Sequence, residues 1–306
     1  MSDVLIGVDG GGTRTRVLLI DFEGNTIARG DGTATLVDPD RPEEAALRLD
    51  AIVRRTVDDA GVARPVSAMW AGLAGAGRES TRERMREALG KMSGDLIGTL
   101  DIGTDVRAAF HDAFGDGPGI ALIAGTGSIV LVHAPDGRRF TVGGWGTRLG
   151  DEGSGFALAR EALRAVLWAH DGRGPATALS RLLGDLDLSE PEELIDWASK
   201  ATKRDVAALA PRVAEIAAAG DEVAAALRSE AVGQLGLLLE AALARLGDDR
   251  GAVQEVALVG GLVKPGRALR SEVEAVVREL GLSVVPRDIV PERGAAELAR
   301  GLLASD

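Results

Sequence analysis

A glycine-rich turn flanked by short extended runs occurs twice in this chain, 113 residues apart and in the same register. Gly12 matches Gly125, Thr13 matches Thr126, Val17 matches Val130, Leu18 matches Leu131, Gly24 matches Gly137 and Gly30 matches Gly143. Coincidences at a single offset this long point to two related half-domains and not to a solenoid. The 306 residues leave room for two cores, since a domain takes roughly 100–200.

The surroundings of the two copies predict the architecture. Residues 4–9 are an apolar run ending in Gly10, Gly11 and Gly12; 14–20 resume an extended pattern; 21–25 are a turn; 26–30 are a third extended run. Together they read as an antiparallel meander. Helical spacing then places Ala45, Leu49, Ile52, Val53 and Val57 on one face of 42–60. Further on, 66–71 is a strand entering the glycine turn 72–77, 79–89 a polar helix, 96–102 a strand and 106–114 a helix. After the second copy the pattern becomes helical at 156–169, 176–183, 191–199, 204–218 and 221–246. It closes with a strand at 256–259, a helix at 267–280, a strand at 283–285 and a helix at 292–303. This order predicts a two-lobed α/β protein of duplicated βββαβα half-domains with a helical insertion in the second. The first lobe is read as 1–115 joined by the C-terminal helix 290–306, and the second as 116–289.

Composition narrows the chemistry. With 35 basic and 47 acidic residues the net charge is −12, which disfavours nucleic acid or an anionic membrane as partner, because both need a basic face. Cysteine is absent, so thiol catalysis, disulfides, thiolate zinc and cysteine-held iron–sulfur clusters are excluded. The three histidines, His111, His133 and His170, are scattered. The first residues show no basic leader, and no run approaches the ~18 apolar residues of a span, so a soluble, cytoplasmic protein is expected. Glycine, 41 of 306, is about twice its usual ~7% and is clustered.

The first cluster, Asp9 to Thr15 (DGGGTRT), is either a tight turn or a phosphate cradle. Glycines let the backbone approach a ligand, converging N–H groups suit an anion, and Thr13 and Thr15 add hydroxyls. It matches neither a Walker loop nor a dinucleotide fingerprint, since a strand follows where a helix should open. The second copy, Ala124 to Ser128 (AGTGS), favours the cradle: two such hairpins facing each other across two lobes would grip a polyphosphate from both sides. Asp9 is then placed to hold Mg²⁺ through water, or it caps the turn.

Four segments in order, IGVDGGGTRT from Ile6, AGTGS from Ala124, GGWG from Gly143 with GDEGSG from Gly150, and ALVGG from Ala257, resemble the N-acetylglucosamine kinase branch of the BadF/BadG/BcrA/BcrD ATPase family, in the actin, sugar kinase and Hsp70 superfamily. The resemblance spans nearly the whole chain. It implies a two-lobed, ribonuclease-H-like, actin-like ATPase fold with ATP and Mg²⁺ in the interlobe cleft. By the same resemblance Gly11, Gly12, Thr13, Arg14, Thr15, Gly125, Thr126 and Gly127 hold the ATP phosphates, and Gly260 and Gly261 the adenosine. Asp105 matches the catalytic aspartate, a base for the sugar hydroxyl, although an aspartate there also suits a helix N-cap. Ser128, Gly144, Trp145, Gly146 and Asp151 are expected at the sugar; Asp151 or Ser154 can instead cap the helix that follows.

Two positions depart from the branch's pattern. Leu36 and Ile129 stand where sugar-binding asparagines are expected, with Thr35 or nearby backbone as the replacement donors, so the particular sugar stays open. The resemblance implies an ATP-dependent amino-sugar kinase acting on the 6-hydroxyl of N-acetylglucosamine, glucosamine or a close relative. The alternative is a nucleotide-dependent regulator on the same fold. The family's dehydratase activators need cluster-ligating cysteines, which this chain lacks. The acidic helices of 176–246 are read as packing, with a solvated face or a homodimer surface outward.

Overall fold

Strand β1 (Ser2–Gly10) alternates its side chains between two cores, which makes it the centre of the first unit. Val4, Ile6 and Val8 pack with the buried face of α1 (Pro42–Asp59), while Leu5 packs with Ala295, Ala296 and Ala299 of the last helix, α11 (Pro291–Leu303). That alternation is the period-2 signature of a strand covered on both sides. The computed structural model describes residues 2–304. Its chain divides into two compact units: one runs to Asp116 and resumes at Ile289, and the other spans Gly117–Asp288.

In the first unit β1, β2 (Arg14–Asp21) and β3 (Thr26–Thr33) form the antiparallel meander. β4 (Val66–Leu73) and β5 (Ile97–Gly103) then add parallel to β1, giving the order β3-β2-β1-β4-β5. All eight residues of β4 are buried, as a strand covered on both faces requires. Helices α2 (Glu79–Ser93) and α3 (Asp105–Phe114) complete the crossovers. Gly7 lets α11 touch the sheet: a Cβ there would lie 2.0 Å from the Glu292 carbonyl and 2.3 Å from the Ala296 nitrogen. Buried Asp112 on α3 accepts from Arg293 Nε at 2.6 Å and from the Val290 N–H at 2.8 Å, tying α3 to α11.

The second unit repeats the plan. β6 (Gly119–Ala124), β7 (Ser128–His133) and β8 (Arg139–Gly143) are its meander, and β9 (Glu255–Val259) and β10 (Ser283–Val284) its parallel strands. The order β10-β9-β6-β7-β8 is that of the first sheet read from the opposite edge. Its helices are α4 (Gly155–His170), α5 (Arg181–Asp185), α6 (Leu194–Lys200), α7 (Lys203–Ala207), α8 (Ala210–Ala218), α9 (Glu222–Leu246) and α10 (Arg270–Glu279).

Several predicted helices are shorter or broken. The expected helix 204–218 is two, α7 and α8, because Pro211 in the first turn of α8 has no N–H to continue the helix before it. Both 176–183 and 191–199 open with a 3₁₀ turn. The helix expected from 267 begins at Arg270, after a string of turns that includes Gly266 at φ 72°.

Candidate active site

The carboxyl ends of β1, β4 and β5 lie in register, with Asp9 beside Gly72 and Gly72 beside Gly103. Two strand spacings separate β1 from β5, about 10 Å. Beyond this edge stand the first glycine hairpin on one side and Asp105 on the other. Outside the carboxyl ends of parallel strands is where α/β sheets bind ligands.

In the hairpin, Gly11 N–H bonds the Arg14 carbonyl at 3.0 Å, Gly11 and Gly12 are half-buried, and Thr13 and Arg14 are exposed. Gly10 is required by packing, since a Cβ would lie 2.3 Å from Thr35 Oγ1 and 2.4 Å from Leu73 Cδ2. Thr15 departs from its expected role at the phosphates. It is fully buried, and its hydroxyl bonds the Thr33 carbonyl at 2.6 Å and Thr35 Oγ1 at 2.9 Å, so it ties β2 to the segment after β3. The same bond removes Thr35, also fully buried, from the replacement donors. Leu36 beside it is 51% exposed. Asp9 faces across the β1–β2 ladder, where its Oδ2 accepts from Arg16 Nη1 at 2.9 Å. Arg16 was not singled out in the sequence, although an opposite charge seven residues on across a predicted hairpin was its signal.

Asp105 opens α3 without capping it. The cap is Thr104, whose hydroxyl accepts from the Arg107 N–H at 3.2 Å. Asp105 Oδ1 accepts the Val106 N–H at 3.0 Å, the residue's own N–H also bonds the carboxyl, and no basic side chain pairs with it among the described residues. Part of the residue stays open while protein surrounds the carboxyl, so desolvation raises it above the ordinary aspartate value, against the lowering effect of the Val106 N–H.

The second hairpin lies at the end of β6. Gly125 N–H bonds the Gly127 carbonyl at 2.9 Å, and the Gly125 carbonyl accepts the Gly155 N–H at the start of α4 at 2.8 Å. Gly260, at φ 110°, sits against it: a Cβ would lie 2.3 Å from the Ala124 carbonyl oxygen. Gly261 is adjacent, its nitrogen 3.7 Å from where a Cβ on Gly125 would be. The structure thus joins Gly125–Gly127 to Gly260 and Gly261, with Thr126 half-buried at the tip.

Asp151 is buried at φ 64°, and Ser154, not Asp151, caps α4 by accepting the Ala157 N–H at 3.2 Å. Asp151 Oδ1 accepts the Ser128 N–H at 3.2 Å, and Oδ2 pairs with Lys203 Nζ at 2.6 Å. The Ser128 hydroxyl, expected at the sugar, is buried and donates to the Glu152 carbonyl at 2.6 Å, so it holds this loop. Lys203 was missed because nothing in a polar helix start at 203 signals a partner 52 residues back. Gly143, Gly144 and Gly146 all have positive φ and throw Trp145 outward, 75% exposed. Ile129 lies under this loop; a Cβ on Gly144 would be 2.5 Å from its Cδ1.

Two five-stranded sheets on one βββαβαβ plan, a strand longer than the expected βββαβα, with glycine hairpins at their strand ends define the class, and a family model extends it over the chain. It matches residues 6–299, and the chain belongs to the BadF/BadG/BcrA/BcrD ATPase family. Among similar proteins is one named N-acetyl-D-glucosamine kinase from Dictyostelium discoideum, 28% identical over 97% of this chain and 98% of that one. An N-acetylmuramic acid/N-acetylglucosamine kinase from Clostridium acetobutylicum is 31% identical over 78% of each. A solved structure from Chromobacterium violaceum carrying an N-acetylglucosamine kinase assignment is 28% identical, with a TM-score of 0.77 over 97% of this chain and 99% of that one. A glucokinase from Streptomyces griseus, solved with glucose and AMPPNP, shares the fold at TM-score 0.60 and 19% identity, over 97% and 99%.

Proposed function

We propose that this chain is an ATP-dependent amino-sugar kinase that transfers the γ-phosphoryl group to the 6-hydroxyl of N-acetylglucosamine, glucosamine or a close relative. The observation that carries the reading is Asp105: a carboxyl at the end of β5, desolvated, held by backbone N–H groups and paired with no cation among the described residues. Such a group is suited to accept the proton of an attacking hydroxyl, and its raised pKa makes it a stronger base once ionised. The names of the relatives support the substrate class.

In this reading Gly11, Gly12, Thr13 and Arg14 of the first unit, and Gly125, Thr126 and Gly127 of the second, hold the phosphates through backbone N–H groups and side-chain donors. Gly260 and Gly261 present flat backbone to the adenosine. ATP supplies the phosphoryl group. The donors fit Mg²⁺ as well: Asp9 offers one carboxylate, whose Oδ2 also accepts from Arg16, so an ion there would complete its shell from water and phosphate, as this ion does. Asp151 accepts from sugar hydroxyls. Ile129 gives the floor beneath Gly144 an apolar surface, favouring a sugar whose N-acyl or lactyl group can lie against it.

The test is coupled ADP release with glucosamine, N-acetylglucosamine, N-acetylmannosamine, N-acetylmuramate and glucose, with the product's phosphate located by NMR. Turnover is expected with at least one amino sugar, carrying phosphate on O6. ATP hydrolysis that responds to none of them would instead support a regulator, and phosphate at another position would remove the 6-hydroxyl assignment.

A further inference from the structure

Lys203 reaches the tip of the second hairpin from a segment that the repeat does not contain. It is the first residue of α7, and the reciprocal bonds Thr202 N–H to Asp205 Oδ2 (2.8 Å) and Asp205 N–H to Thr202 Oγ1 (3.2 Å) hold the base of its side chain in place. Its Nζ lies 2.6 Å from Asp151 Oδ2. A Cβ added to Gly127 would fall 3.0 Å from that Nζ and 2.5 Å from Asp151 Oδ1. Hairpin tip, ammonium and carboxylate therefore share a space that will not admit one methyl group. The pair is lopsided: the Asp151 side chain is 5% exposed and that of Lys203 34%, so the ammonium keeps an open side and two further N–H donors.

We propose that Lys203 is a phosphate-binding cation of the second hairpin, shared between Asp151 and the nucleotide, so that nucleotide binding draws it from Asp151 and frees that carboxylate for the sugar. The inference rests on the reading that this hairpin holds ATP phosphates. A lysine serves phosphate as a mobile point charge on a flexible stem, and here the stem's origin is fixed while its tip stands within reach of both anions. Phosphate and carboxylate compete for one ammonium, which couples the two substrates: whichever binds first changes what the other meets. Lys203 acts on the sugar only through Asp151 and is a positioning residue there.

Calorimetric titration of AMPPNP with Mg²⁺ tests this on the full chain. Lys203→Met is expected to weaken nucleotide binding about tenfold, and Lys203→Arg to keep it within about threefold of wild type, since the charge survives. Asp151→Asn is expected to tighten it, because the lysine is released from its competitor. A merely structural pair would not behave so; breaking it would loosen the hairpin and weaken binding from either side. Lys203→Met strands a buried carboxylate and can fold poorly, so the Asp151→Asn, Lys203→Met double variant, which strands none, is measured beside it and is expected to bind as weakly as the single. Wild-type nucleotide affinity in a folded Lys203→Met or in the double variant, or weakened affinity in Asp151→Asn, overturns the proposal. A wild-type chain that binds AMPPNP but releases no ADP with any amino sugar would sink the kinase reading and leave these titrations able to decide the role of Lys203.

Discussion

The two units share a sheet order and an internal repeat, yet the strand pairs beneath their hairpins carry opposite chemistry. In the first unit Asp9 faces Arg16 across the ladder; in the second, Ile123 faces Ile129, and Ile129 is the offset equivalent of Arg16. The ladders also differ by one residue. Gly10 pairs with Thr15, enclosing four residues, while Ala124 pairs with Ser128, enclosing three. The aspartates differ in the same spirit. Asp105 has backbone donors and, among the described residues, no cation, whereas Asp151 has a backbone donor and Lys203. A duplicated scaffold has thus been divided into an end that leaves a desolvated carboxyl without a cation and an end that pairs one with a lysine.

The sharpest way to break that division is Asp105→Asn. Loss of a positioned base is expected to lower ADP release about 10²–10⁴-fold, with AMPPNP affinity by calorimetry unchanged. Desolvation raises the carboxyl in the folded state, so its unfavourable effect on stability is absent below the unfolded value and grows as pH rises through the folded one. The variant is therefore expected to melt higher than wild type at neutral pH and equally at pH 3. Wild-type kcat/KM should fall on the acid side at a pH above that of an ordinary aspartate. A variant that melts lower at pH 7 would show that the carboxylate is compensated by contacts other than those described.

Next in size is the contrast at the sheet centre. Gly7 admits the backbone of α11, and its offset equivalent, Ile120, is fully buried in the second core. Gly7→Ala drives a Cβ into two backbone atoms and is expected to cost about 3 kcal/mol, at the upper end of overpacking; Ile120→Val should cost about 1 kcal/mol. Urea midpoints measure both, and equal costs would mean that α11 yields freely. Thr15→Val comes below these. It removes a hydroxyl bonded to Thr33 and Thr35, so about 1–2 kcal/mol of stability should go while the KM for ATP stays put; a raised KM would return Thr15 to the phosphates.

Most of the backbone plan was legible because it rests on short-range physics. The 113-residue offset, the period-2 strands and the apolar face of α1 are patterns within a few residues of each other, and the strands and α1 appear where those patterns place them. What the sequence hid was set by chains that meet from far apart. Thr13 and Thr15 look alike in sequence, but the pleat turns Thr15 inward to Thr35. Asp151, expected at the sugar, also stayed open as a cap because Ser154 could not be preferred without seeing the turn, and its cation comes from Lys203 in the inserted helices. Pro211, which splits the predicted helix 204–218, is by contrast a local signal that the sequence carries openly.

The smallest effect bears most directly on the opposed strand pairs. The Asp9–Arg16 pair has side-chain exposures of 16% and 21%, and cross-strand charge pairs of this kind contribute roughly 0.2–1 kcal/mol. Arg16→Ala should therefore barely move the melting temperature. Its effect on the metal is expected to be larger: without the guanidinium the charge competing for Asp9 Oδ2 is gone, and the Mg²⁺ concentration for half-maximal ADP release should fall by about threefold or more, for a loss of competing charge worth under about 1 kcal/mol. Arg16→Lys, which keeps the charge, should lie between. If Arg16→Ala instead requires more Mg²⁺, the arginine orients Asp9 for the ion, and if the requirement does not change, Asp9 is part of the ladder alone and the two hairpins differ in packing but not in metal chemistry.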